Sequence, residues 1–406
     1  MRAAHLELRG FRNLLDADVT LGDGVTTIHG QNGAGKTNLL EALYFGLAGR
    51  SFRASRDREA IRFGEDMARV TVELTSSPEL SQHPSADGLE GTPGRPTRFL
   101  ASVDRSGERR LLVDGNPLSA VEAAAKRPAL AVFVPDRLGL VKGPPSTRRA
   151  HLDQLVSALW PARAGIRSRY GAALAQRNAL LGRVRAGAVG SSALDGWDLE
   201  LASQGVALRQ VRGQAVAALA AGFERLAEAL GLSGQASVRY AERGPTGSEH
   251  ELVSALRERR DSDLKRGFTG SGPHADELEL ELNGRALRRY GSQGQQRTAV
   301  LALLLAERDA VIELGRPAPL TLLDDVMSEL DLTRRERLAE RLAGGGQALI
   351  TAADSSAVPD MAGTRILVRD GRIEARGQAP ARTEDSRPSA RRDARDPGHA
   401  MPAPRP

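Results

Sequence analysis

The chain has 406 residues, of which 40% are hydrophobic, 27% charged and none cysteine; this is a globular composition, and it excludes disulfides, thiolate metal sites and cysteine nucleophiles. The length exceeds the roughly 100 to 200 residues of one ordinary domain, so two lobes are expected. The formal net charge of +6 suits a polyanionic partner, but arginine supplies nearly all of it and part lies in the last thirty or so residues, so charge alone does not establish nucleic-acid binding.

No apolar run approaches the roughly 18 residues of a membrane span. Met1 to Asn13 carries Arg2, Glu7, Arg9 and Arg12 without an apolar signal region. The expectation is therefore a cytoplasmic protein with no membrane partner.

In chain order, His5 to Leu8 alternates as a strand, and Val25 to His29 is a short β-rich run after the turn Gly22, Asp23, Gly24. A glycine-rich loop follows, and then Asn38 to Leu47 has the apolar spacing of a buried helix. Further strands are predicted at Ala68 to Leu74, Arg98 to Val103, Arg110 to Val113 and Leu130 to Val134, with a Ser, Pro and Gly-rich surface loop at Ser76 to Pro96. From about Ser146 to Leu230 the pattern turns helical, notably at His151 to Trp160, Arg167 to Val184 and Trp197 to Leu230. Strands return at Leu278 to Leu282, Leu320 to Leu323, Ala348 to Thr351 and Arg365 to Val368. After Gly377 the chain is aperiodic and rich in Pro, Arg, Asp, Ser and Ala, which predicts disorder.

Gly30, Gln31, Asn32, Gly33, Ala34, Gly35, Lys36 and Thr37 match the phosphate-loop pattern between a strand and a helix, the context that pattern requires. Glycines let the backbone wrap a phosphate, successive amides form an anion nest, and the helix N-terminus adds positive potential. Lys36 is expected to reach the β and γ phosphates of ATP, and the Thr37 hydroxyl to ligate Mg²⁺.

Leu320 to Leu323 is an apolar strand ending in Asp324 and Asp325. Two carboxylates at the end of a buried strand are costly without a partner, and a metal ion resolves the cost. Asp324 is expected to hold Mg²⁺ and Asp325 to orient or deprotonate the attacking water, so that Lys36, Asp324 and Asp325 form the catalytic set. Ser292, Gln293, Gly294 and Gln295 open the helical run Thr298 to Arg308 about thirty residues earlier. Taken alone, Ser292 is equally explained as an N-cap. Its place before the carboxylate strand is the order of an ABC signature, a second anion site. Ser328, Glu329, Leu330 and Asp331 then read as a D-loop, and Thr351 as the switch residue.

Further stretches go beyond a generic phosphate-loop protein: Gly10 to Asn13, Arg50 to Arg53, Val134 to Asp136 running through Gly143, Pro144, Arg148, Arg149 and Leu152 to Asp153, Gln176 to Asn178, Gly272 to His274, Gly291 to Arg297 and Leu322 to Asp331. In combination and order they resemble the RecF family across about Met1 to Arg376. After Gly-Pro-His the family pattern has an arginine and two aspartates, whereas this chain has Ala275, Asp276 and Glu277.

The resemblance implies an α/β fold, an ABC/SMC-type P-loop ATPase head with a helical second lobe inserted in the chain. The divisions are 1–145 and 266–376 for the ATPase lobe, 146–265 for the helical lobe and 377–406 for the tail. It further implies slow, DNA-dependent hydrolysis coupled to ATP-dependent homodimerisation, in which each signature completes the other subunit's nucleotide site. The implied partners are DNA at single-strand gaps, RecO and RecR, and the implied role is help in recombinase loading. Rival readings are an ABC transporter subunit, opposed by the absence of a switch histidine and by Asp325 in place of the usual glutamate, and a metabolic kinase, which leaves the signature and D-loop unexplained.

Overall fold

The computed structural model describes residues 1–54, 56–75, 96–134, 138–244, 247–354, 358–359 and 363–376. All of the expected loop Ser76 to Pro96 except Pro96 itself, the tail from 377, and Pro135 and Asp136 of the family stretches lie outside those residues.

The chain opens with β1 (Arg2–Arg9), β2 (Ala17–Thr20) and β3 (Val25–His29), then α1 (Lys36–Ala48). The apolar positions of α1 are spaced to bury Leu39, Leu40, Leu43 and Leu47, and left-handed Gly49 ends it by donating to the Phe45 carbonyl. An antiparallel run follows as β4 (Met67–Thr75), β5 (Thr97–Asp104), β6 (Arg109–Val113) and β7 (Asn116–Pro117). Then come α2 (Ala120–Ala125), β8 (Leu130–Phe133) and the helices α3 (Gly139–Lys142), α4 (Pro145–Leu159), α5 (Ile166–Arg185) and α6 (Leu194–Ala229). The remainder is β9 (Ala236–Ala241), α7 (Glu249–Glu258), α8 (Arg260–Arg266), β10 (Glu277–Leu282), β11 (Arg285–Ala286), α9 (Leu287–Tyr290), α10 (Gln293–Glu313), β12 (Leu320–Leu323), α11 (Leu332–Ala343), β13 (Ala348–Ala352), β14 (Gly363–Arg369) and β15 (Arg372–Arg376).

Three sheets organise these elements. The first is antiparallel, in the order β2-β1-β4-β5-β6-β7. The second runs β15-β14-β3-β13-β12-β8 and is parallel except for β15. The third is the small antiparallel set β11-β10-β9.

The parallel sheet divides two cores, because successive side chains of a strand point to opposite faces. On one face Ile28, Leu322, Leu349 and Ile366 join the core that holds α1 and the antiparallel sheet. On the other, Phe133, Leu323, Ile350 and Ala352 join the core built from α4, α6 and α10. Near-continuous apolar strands are what a sheet covered on both faces requires.

The segment expected to be purely helical also carries β9, which pairs along its whole length with β10. Buried ion pairs tie the helices to the start of β10, with Arg148 forking onto Glu277 at 2.6 and 2.8 Å and Arg209 onto Asp276 at 2.8 and 2.9 Å, while Arg212 of α6 forks onto Asp153 of α4 at 2.8 and 3.0 Å. The departure from the family pattern at Ala275 therefore leaves Asp276 and Glu277 fully engaged. Arg177, completely buried, binds Asp198, Asp263 and Thr269, and Asn178 Oδ1 accepts from the Thr269 amide and hydroxyl.

His274 completes this seam. Its Nδ1 lies 2.6 Å from the Tyr170 hydroxyl and its Nε2 lies 3.0 Å from the Thr269 carbonyl. A neutral ring satisfies both contacts, with Nε2–H donating to the carbonyl and Nδ1 accepting from tyrosine. Burial holds the His274 pKa below its ordinary value, against the opposing pull of the Thr269 carbonyl. The unfolded chain thus binds this proton more readily than the folded one, and stability is present above the ordinary histidine value of about 6.5 and lost as pH falls through it. Urea unfolding of wild type and His274→Gln at pH 7.5 and 5.5 should show a smaller acid loss in the variant; equal losses contradict the assignment.

Candidate nucleotide-binding site

The parallel strands β3, β13 and β12 are neighbours, and their carboxyl ends lie side by side. Such strand ends are where open α/β sheets place ligands. From β3 the chain passes through Gly30 to Gly35 into α1, whose first turn has no side-chain cap and no acidic residue. Its backbone amides are therefore left for an anion.

Two glycines are forced here. A Cβ on Gly30 (φ 151°) would meet the Val368 carbonyl oxygen at 2.0 Å, and one on Gly35 (φ 116°) would meet Leu14 Cδ2 at 2.7 Å. Gln31, Asn32 and Gly33 are exposed, while Ala34 and Lys36 are buried. The Lys36 ammonium folds back across the loop, donating to the Gly30 and Gln31 carbonyls at 2.7 and 3.0 Å. Burial lowers its pKa from the ordinary lysine value, and Asp325 and Asp324 oppose that shift. A cation with reduced solvation, held over an anion nest, is poised for phosphate oxygens.

At the end of β12 the two carboxylates diverge. Asp324 accepts from the Thr37 hydroxyl at 2.8 and 2.9 Å and from the Thr351 hydroxyl at 2.7 Å. Thr351 in turn accepts from the Asp325 amide at 2.8 Å. Register explains the arrangement: Leu323 pairs with Ile350, so the next residue along each strand brings Asp324 beside Thr351. Asp325 has a left-handed backbone, φ 50°, and its Oδ1 is buried with no hydrogen-bond partner among the described residues. The Thr37 hydroxyl and the Asp324 carboxylate are an all-oxygen pair that fits Mg²⁺, and the unpartnered Asp325 Oδ1 next in the chain is left as a free acceptor.

Ser292, Gln293, Gly294 and Gln295 lie elsewhere. Ser292 caps α10, accepting from the Gln295 amide at 3.2 Å while the Gln295 side chain accepts from the Ser292 amide at 2.8 Å. Ser292, Gln293 and Gly294 are exposed. Among the described residues none of the four hydrogen-bonds to the phosphate loop of its own chain. In the expected D-loop, Ser328 donates to the Asp325 carbonyl at 2.8 Å, Glu329 lies in a short 3₁₀ turn, Leu330 is buried, and Asp331 caps α11 through the Arg334 amide.

The family model described as the RecF/RecN/SMC N terminal domain matches residues 3–370. The DNA replication and repair protein RecF of Streptomyces avermitilis is 36% identical over 92% of this chain and all of its own length. That of Heliobacterium modesticaldum is 36% identical over 84% of this chain and 89% of its own. The chain belongs to the RecF family. A solved structure of the recombination mediator protein RecF with ATP in the RecFOR pathway superimposes with a TM-score of 0.79 at 28% identity, covering 93% of this chain and 98% of that one. An SMC head bound to the C-winged helix domain of ScpA shares the fold, with a TM-score of 0.56 at 18% identity over 92% of this chain and 97% of its own.

The family stretches near the N-terminus form a second layer under the phosphate loop. Asn13 donates to the Gly33 carbonyl at 3.0 Å and accepts from Asn38, which accepts from Arg53. Arg12 forks onto Glu41 at 2.7 and 3.1 Å, and Ser51 donates to the same carboxylate at 2.6 Å. Glu41, wholly buried on α1, was not among the residues singled out from the sequence, nor was Gly371, whose amide donates to the Ala34 carbonyl at 3.0 Å. Glu41 was detectable in principle, as a lone acid inside an apolar helix face that also carries an arginine-rich neighbour loop.

Thr351→Val should leave the Asp325 amide unpaired and remove one bond from Asp324, destabilising the fold by about 1 to 3 kcal/mol, whereas Thr351→Ser should stay near wild type. Urea melts of the two variants check this; a valine variant as stable as wild type contradicts the clamp.

Proposed function

We propose that the chain is an ATP-dependent DNA-binding protein that dimerises on ATP and acts in DNA replication and recombinational repair at single-strand gaps, assisting recombinase loading with RecO and RecR partners. One observation carries the reading. Each chain holds a complete phosphate loop with its carboxylates and, away from it, an exposed helix start at Ser292 that does not serve that loop. A second copy is the natural recipient of that second anion site.

In this reading Gly30 to Thr37 cradle the phosphates and Lys36 neutralises the terminal ones. Thr37 and Asp324 would hold Mg²⁺, which when bound would supply neutralisation of phosphate charge. Asp325 accepts the proton of the attacking water through its buried, unpartnered Oδ1. Ser292 to Gln295 of one subunit face the γ-phosphate bound by the other, with Ser328 to Asp331 crossing between them and Thr351 joining the Asp324 carboxylate to the Asp325 amide at that junction. Hydrolysis is slow and stimulated by DNA, and it releases the dimer. One solved RecF structure is with ATP and another with ATPrS, which supports the nucleotide assignment. The net charge of +6 supports a polyanionic partner.

Asp325→Asn spares the proposed metal ligands and removes the base. With ATP, Mg²⁺ and gapped DNA it should hydrolyse at least about tenfold more slowly than wild type and remain dimeric long after wild type has returned to monomer. Wild-type turnover in Asp325→Asn, read by phosphate release, removes the role from Asp325.

A further inference from the structure

Away from the phosphate loop, a cleft of about 300 Å³ opens between α3, β10 and α9. Its floor is apolar: Leu140, Val141, Leu278 and Leu280 are each almost fully buried beneath it. Its rim is basic, from Arg243, Arg288 and Arg289. None of these three side chains has a hydrogen-bond or ion-pair partner among the described residues. Two acids also line the cleft, but Glu277 is paired with Arg148 at 2.6 Å, and Arg239 spans Glu279 at 2.7 Å and Glu281 at 3.1 Å, which leaves one negative charge against the three free arginines. The uncompensated charge at the rim is therefore positive. Tyr290, 68% exposed, stands beside the arginines with its ring unpacked.

A floor that accepts a flat apolar face, an unpacked aromatic ring and three free guanidinium groups are complementary to a base carrying phosphate. Guanidinium groups bind phosphate oxygens in a fixed fork, and aromatic rings stack on any base. A cleft of this volume holds one such unit and not a duplex. We infer that this cleft is a second nucleotide-binding site, taking a single phosphorylated nucleoside, either one residue of a DNA strand or a free nucleotide. The strand source rests on the DNA-binding reading above; the free source does not.

The site is wired to the signature. Gln296, buried on α10, donates to the Leu287 carbonyl at 2.8 Å and to the Gly291 carbonyl at 3.0 Å, which fixes α9 against the start of α10. Gly291 leaves no slack, since a Cβ there would meet the Leu287 carbonyl oxygen at 2.8 Å. A ligand gripping Arg288, Arg289 and Tyr290 thus pulls on the turn that ends in Ser292. Occupancy of the cleft would reach the face that meets a second copy without touching the phosphate loop.

The test uses photocrosslinking in the full chain, as wild type with ATP and Mg²⁺ for the oligomer arm, where DNA binding depends on ATP, and as Lys36→Ala for the free-nucleotide arm, where the phosphate loop would otherwise compete. One arm uses a single-stranded thymidine oligomer with a 5′-phosphate and a terminal 5-iodouracil, and the other uses free 5-iododeoxyuridine triphosphate; fluorescence anisotropy reports oligomer binding separately. Peptide mapping should find the label on Tyr290 in at least one arm, and Arg288→Ala with Arg289→Ala should cut that yield about tenfold. Label in the oligomer arm assigns a strand residue, and label only in the second arm assigns a free nucleotide. An oligomer that binds but labels other residues, with Tyr290 also untouched by the free triphosphate, overturns the cleft and leaves the DNA reading standing. Labelling by the free triphosphate with no oligomer binding upholds the cleft while the DNA reading fails. A yield unchanged by the arginine substitutions overturns the proposal.

Discussion

The row of hydrogen bonds from Thr37 through Asp324 to Thr351 is the constraint on which the rest of the arrangement depends. It joins the start of α1 to the ends of β12 and β13, so three segments distant in sequence have one permitted spacing. Buried carboxylates are costly unless paired. Asp324 meets that requirement with two hydroxyls, whereas Asp325 Oδ1 does not meet it among the described residues. The imbalance between adjacent carboxylates, one saturated and one not, is what makes this strand end a place for chemistry rather than a strand terminus in solvent.

Because the parallel sheet separates two cores, the same strand ends sit on the boundary between them. α1 belongs to the core with the antiparallel sheet, and α10 to the core with α4 and α6. Nucleotide held by α1 and its carboxylates therefore bears on both. The second core is crossed by forked arginine pairs from Arg148, Arg209 and Arg212 to Glu277, Asp276 and Asp153. Pairs of this kind add little net stability, since desolvation offsets attraction, but their geometry admits few alternatives. Their effect is to fix β10 and the Gly272 to His274 turn against the helices, and so to fix the base on which α9 and the start of α10 stand.

Much of this was legible in the sequence where the determinant is local. The turn from β3 into α1 was legible because its glycines are local, and β3 and β12 were read with their final boundaries, the first as a β-rich run between Gly24 and Gly30 and the second as an apolar run stopped by Asp324. What depended on pairing across the chain was not legible. β9 alternates weakly and contains Arg239, and it becomes a strand by pairing with β10 some forty residues later. α7 went unread although Ser248 and Glu251 form a capping box that the sequence displays. Glu41 lies within an apolar helix face, and nothing in its spacing predicts Arg12 and Ser51 as partners. Thr351 was placed at the end of its strand, but its bond to the Asp325 amide follows from strand register alone.

The central claim is that the exposed start of α10 completes a nucleotide site in a second copy of the chain. Sedimentation of Ser292→Arg with ATP and Mg²⁺, alongside a thermal melt and a measurement of ATP affinity, tests it most directly. The account predicts a folded monomer that binds ATP nearly as well as wild type and does not dimerise, because the larger side chain occupies the place of the partner's γ-phosphate. A normal ATP-dependent dimer, with at most the roughly 0.5 to 2 kcal/mol destabilisation of a lost helix cap, would contradict it.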